Sequence, residues 1–180
     1  GGPIIGRFAD KNSDQVKSLS FIAPAGFGKV QTSIPFFMKI PGVIEWAMHV
    51  LADRFYGSAI SSETAHSNDP LSINEEEFQQ LFSFQMQFKG FRESLASTMR
   101  NFNLFDAREM FEKVAAKNIP SIAIWGDNDG IVSYKGAETY SEIFQEGKVI
   151  TIENGTHDIT YRQPSDVLEA IKIFLASQIS

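Results

Sequence analysis

Ile122-Ala123-Ile124-Trp125-Gly126-Asp127-Asn128-Asp129-Gly130-Ile131-Val132 is an apolar run that stops at a glycine and breaks into a turn carrying two acids. The run does not alternate. With Ile119 as its start it has strand length, and an unbroken apolar strand is one covered on both faces, as in a parallel sheet. Asp-Asn-Asp-Gly is turn sequence in any fold. Downstream the pattern repeats: 135–144 reads as a helix, Lys148 to Glu153 (KVITIE) as a second strand, and that strand ends in Asn154-Gly155-Thr156-His157-Asp158. Asp129 therefore follows one strand and His157 the next. In open parallel sheets ligands bind beyond the carboxyl ends of the strands. Taken singly, Asp129 reads equally well as a turn acid and His157 as a surface-loop histidine. Their order and shared strand-end position make them a candidate acid-base pair, because a carboxylate beside an imidazole fixes its tautomer and stabilises its protonated form.

Outward from this core, Pro164 to Ser177 reads as a closing helix, with Pro164 in its first turn and Val167, Leu168, Ile171, Phe174 and Leu175 on its inner face. At the front, the small and apolar residues from Gly2 to Ala9 suit a helix packed closely on a sheet. A turn at Asn12-Ser13-Asp14 and a buried strand from Val16 to Ala23 follow, then the breaker-rich loop Pro24-Ala25-Gly26-Phe27-Gly28. The middle is different. Between 31 and 112 the pattern predicts helices without strands: Ile44 to Phe55, a second from Phe78 to Lys89 with its start at Ser72 or Asn74, and a third from Phe91 to Asn101 after a break at Gly90, with 57–70 as a long polar loop. The fold class is α/β. Residues 1–30 and 113–180 form the parallel-sheet core, and 31–112 a helical insertion.

Composition narrows the function. Of 180 residues, 43% are hydrophobic and 12% aromatic, enough for a globular core. Sixteen basic residues against 22 acidic ones give a net charge of -6 with no basic run, which disfavours a nucleic-acid partner. No cysteine is present, so disulfides, thiolate metal sites and cysteine nucleophiles are excluded, and the chain fits a cytoplasmic setting. No apolar run reaches the roughly 18 residues a membrane span requires. His49 and His66 have carboxylates nearby but no second histidine at ligand spacing, so no metal is expected.

The two loops resemble those of the α/β-hydrolase superfamily. Residues 125–132 are similar to its acid loop, Gly155-Thr156-His157 to its histidine loop, and Gly1-Gly2 to the two glycines that follow the nucleophile in its elbow motif, G-x-S-x-G-G. The resemblance implies that Asp129 is the triad acid, that Asp127 shapes the turn, that His157 is the general base, and that 31–112 is the cap. Thr156 stands where glycine is common and Ser133 where proline is frequent. It also implies that five strands, the nucleophile and both oxyanion-hole amides lie ahead of Gly1. Ser20, Ser33, Ser61, Ser62 and Ser94 lack the glycine-flanked turn that exposes a nucleophile, so none is expected within the chain.

The resemblance thus implies a serine hydrolase acting on an ester or related carbonyl compound, without a cofactor. An aspartate nucleophile would instead give an epoxide hydrolase or dehalogenase. A small apolar substrate would meet Phe27, Val132 and cap aromatics such as Trp46 and Phe84. A third reading makes the chain a non-catalytic fragment, or half of a split protein that binds a complementary N-terminal chain. Its motive is the unpaired edge expected at the strand 16–23.

Overall fold

The structure, a computed structural model, describes residues 1–28, 68–101 and 107–178, together with 40, 42, 43, 46 and 50. The chain forms two compact units. One comprises Gly1–Gln31, Ser67–Ser72 and Leu104–Ser180, the other Thr32–His66 and Ile73–Asn103.

In the first unit, helix α1 (Gly2–Lys11) leads through a short 3-10 turn, Ser13–Gln15, into strand β1 (Leu19–Ile22). In the second unit, α2 (Glu75–Met86) begins at Asn74 with a reciprocal cap: the Asn74 side chain accepts the Glu77 N–H while the Glu77 carboxylate accepts the Asn74 N–H, both at 2.9 Å. Gly90, at φ +87°, separates α2 from α3 (Phe91–Asn101). The first unit then resumes with α4 (Arg108–Ala115), β2 (Ser121–Gly126), α5 (Gly136–Ile143), β3 (Lys148–Ile152), the single turn α6 (Ile159–Arg162) and α7 (Pro164–Ser177).

The three strands are parallel and ordered β1-β2-β3, with Phe21 level with Ala123, and Ile124 level with Ile150. Every residue of the central β2 is buried, which is the physical meaning of its unalternating sequence. Its side chains feed two separate cores. Ala123 and Trp125 point with Phe21 toward α1, α4 and α5, where they meet Ala9, Phe111, Val114, Ala137, Tyr140 and Phe144. Ile122 and Ile124 point the other way with Ile152, against Ile159 and the α7 residues Val167, Ala170 and Phe174. Aromatic rings fill the first core: Phe27 and Phe111 stack at 4.0 Å, and Phe21 meets both edge-on at 5.7 Å.

Several expectations shift here. The unpredicted helix α4 sits in the first unit, where Phe111 and Val114 are fully buried, so the sheet core resumes before residue 113. The inner face of α7 runs through Val167, Ala170 and Phe174. Leu168 and Leu175 lie one step round the helix and are each 43% exposed. No residue of α2 is buried: Phe84 is exposed, and Phe78 and Phe82 are half-buried. Of the expected helix 44–55, only Trp46 and Val50 are described and helical; the rest lies outside the described residues. No described helix is long and apolar enough to cross a membrane.

Candidate active site

Because β2 and β3 are adjacent and parallel, the loops leaving their carboxyl ends start side by side. Two glycines let them touch. A Cβ on Gly126 would lie 2.2 Å from the Gly155 carbonyl oxygen, and one on Gly155 would lie 2.9 Å from the Gly126 Cα. This backbone contact is secured by the Asn128 N–H, which donates to the Gly155 carbonyl at 2.9 Å, and by the Asp127 N–H, which donates to that of Ile152 at 3.3 Å.

The turn that follows folds round Asp129. One carboxylate oxygen, Oδ1, accepts the Ile131 and Val132 N–H groups at 2.9 and 2.7 Å, an arrangement typical of aspartate in turns. The other, Oδ2, lies 2.9 Å from His157 Nδ1. The indole of Trp125, anchored in the core, closes the turn by donating from Nε1 to the Val132 carbonyl at 2.9 Å. The Asp129 side chain is wholly buried, whereas that of His157 is 34% exposed. A buried carboxylate is held by three donors while the imidazole reaches the surface above it. A carboxylate facing Nδ1 favours the tautomer that carries its proton on that nitrogen.

Asp127 is exposed, so burial separates the two acids of the turn. Gly2 packs against Pro24 and Ala25, just beyond the carboxyl end of β1, which brings the N-terminus of α1 to the same edge of the sheet as Asp129 and His157. Two of the expected pocket residues belong to the core of the first unit. Phe27 is 1% exposed and stacked in the core, a different place from a cavity wall, and Val132 packs against the same core. Trp46 and Phe84 are exposed residues of the other unit. Ser20 lies within β1 and Ser94 within α3; Ser33, Ser61, Ser62, His49 and His66 lie outside the described residues. Among the described residues no group of three His, Cys, Asp or Glu side chains could hold a metal ion.

Asp158 and Arg162, whose helical spacing reads as a surface pair, do form an ion pair at 3.0 Å, but Arg162 is buried, 8% exposed. One further feature has no signal in the sequence. Asp69, in a polar loop, caps the first turn of α7: its carboxylate accepts both the N–H and the hydroxyl of Ser165 at 2.8 Å, and the Leu71 N–H at 2.8 Å. Desolvation pushes the Asp69 carboxyl upward, but these donors outweigh it and hold its pKa below the usual carboxylate value.

No family model matches the chain, and no curated protein matches it in sequence. Solved structures do match. A serine hydrolase involved in carbazole degradation is 17% identical with a TM-score of 0.63, over 97% of this chain and 60% of its own. A bromoperoxidase from Bacillus anthracis is 19% identical with a TM-score of 0.66, over 96% of this chain and 63% of its own. A meta-cleavage product hydrolase from Pseudomonas fluorescens is 15% identical with a TM-score of 0.63, over 98% of this chain and 62% of its own. The chain thus spans less than two thirds of the length of each of these three proteins. Its parallel sheet, flanking helices and these superpositions show that the chain has the fold of the α/β-hydrolase superfamily and corresponds to the C-terminal part of that fold.

Proposed function

We propose that Asp129 and His157 are the acid and base of a Ser-His-Asp triad, in a hydrolase of an ester or related carbonyl compound. The serine comes from the N-terminal part of the fold, ahead of Gly1 in the same protein or on a complementary chain. The observation that carries this reading is the contact between the buried Asp129 carboxylate and His157 Nδ1 at 2.9 Å. In the reaction, the serine oxygen attacks the carbonyl carbon as His157 Nε2 takes its proton. That proton then passes to the leaving group, and water, activated by the same nitrogen, releases the acyl product. Asp129 keeps Nδ1 protonated and stabilises the imidazolium. No cofactor enters this mechanism.

The test is esterase activity of the complete protein on a short p-nitrophenyl ester. Asp129→Asn should lower kcat about 10⁴-fold with little change in KM, since it presents the wrong partner to Nδ1. His157→Ala should abolish turnover. The 180-residue chain alone should show none. Activity that survives His157→Ala would refute the reading, as would an aspartate in place of serine two positions before Gly1.

A further inference from the structure

We infer that Thr156, Asp158 and Arg162 form a clasp that positions His157, an inference that rests on the reading of His157 as general base. The residues on either side of His157 are bonded to each other across it. Thr156 Oγ1 donates to Asp158 Oδ1, and Arg162 Nε donates to Asp158 Oδ2 at 3.0 Å. The backbone of Asp158 is tied as well, its carbonyl accepting the Tyr161 and Arg162 N–H groups at 2.7 and 3.0 Å. Ile159, fully buried against Ile122 and Ile124, fastens the turn to the sheet. The His157 side chain itself is a third exposed and meets Asp129 through one nitrogen. The direction in which the ring meets Asp129 also depends on the backbone that carries it.

The clasp supplies that stiffness. A buried guanidinium needs a counter-charge, and Asp158 provides it in a geometry that also engages Thr156. Were the pair there only to stabilise the first turn of α6, Arg162 and Asp158 would suffice. The Thr156 hydroxyl bonds the other oxygen of the same carboxylate and so closes the two-residue span around His157. Gly155 lies against Gly126 on the other side, so the loop is fixed at both ends. Small displacements of a reacting group cost large factors in rate.

The test uses Thr156→Val, which keeps the branched shape and removes the donor, with Thr156→Ser restoring it. In the 180-residue chain, the ring nitrogens of His157 are read by ¹⁵N NMR at about pH 8, above the ordinary imidazole pKa. Thr156→Val should convert a single Nδ1–H tautomer into a mixture, and Thr156→Ser should recover the single form. In the complete protein, kcat for the p-nitrophenyl ester should fall about 10- to 100-fold with KM unchanged. A wild-type tautomer and kcat in Thr156→Val would overturn the clasp, as would a lowered thermal midpoint with both unchanged, which marks a merely structural bond. If Thr156→Val does not fold, Arg162→Lys keeps the charge, loses the Nε geometry and is judged by the same criteria. Activity that persists in His157→Ala condemns the general-base reading, whereas loss there with a silent Thr156→Val condemns only the clasp.

Discussion

Gly126→Ala places one methyl group where the two loops meet. The new carbon would lie 2.2 Å from the Gly155 carbonyl oxygen and 2.3 Å from its carbon, about 1 Å inside the 3.4 Å at which ordinary contact begins. Both obstacles are backbone, so no side-chain rotation relieves the clash. The histidine loop must retreat, and the 2.9 Å bond from the Asn128 N–H to Gly155 is lost first. A retreat of that size would also stretch the 2.9 Å contact between Asp129 and His157 beyond hydrogen-bonding range. Overpacking costs about 1–3 kcal/mol and the lost backbone bond about 1 kcal/mol, giving about 2–4 kcal/mol in all. With a urea dependence of about 2 kcal/mol per molar, the unfolding midpoint should fall by about 1–2 M. Gly1→Ala, whose methyl would meet nothing within 4 Å, is the control and should leave the midpoint in place. The ¹⁵N signature of His157 should lose its single Nδ1–H form in Gly126→Ala alone. An unchanged midpoint with an unchanged tautomer would refute the claim that these glycines bring acid and base together.

Two further outcomes follow from the core. Trp125→Phe keeps a buried aromatic ring but removes the donor to the Val132 carbonyl, so it should cost about 1 kcal/mol and speed amide exchange at Ile131 and Val132, the two donors to Asp129; unaltered exchange would show that the indole does not hold the turn. Tyr140 has its pKa pushed up to about 12, chiefly by burial and against the opposing effect of its Ser121 hydrogen bond. The folded value exceeds the unfolded one near 10, so its contribution is complete below about pH 10 and is lost as pH rises toward 12, a loss of about 2–3 kcal/mol that Tyr140→Phe should abolish in alkaline unfolding curves.

The sheet was legible because its central strand has no polar residue between Ile122 and Trp125 to permit another reading, and the meeting of Asp129 and His157 was legible because their loops follow two successive strands. Pro164 likewise marked the start of α7, and Asn74 with Glu77 the start of α2. Helix α4 was hidden by its brevity: eight residues with Phe111 and Val114 as its only buried positions give too short a stripe to stand out from the preceding apolar segment. The restraints around the pair were hidden for another reason. The Asp69 cap on Ser165 joins residues 96 positions apart, and the burial of Arg162 depends on what packs over it, so neither leaves a local pattern. Periodicity also misjudged α7, because Leu168 and Leu175 are apolar yet lie beyond the width of the face that the sheet covers.

The bonds described around Asp129 and His157 lie between Ser121 and Arg162. The Trp125 indole, the Ile131 and Val132 amides, the Asn128 bond to Gly155 and the Asp158–Arg162 pair are internal to one crossover, from β2 through α5 to β3 and α6. Within that stretch the acid is immobilised by backbone donors and the base by its flanking side chains. The two partners are therefore held by independent means and meet at a single bond.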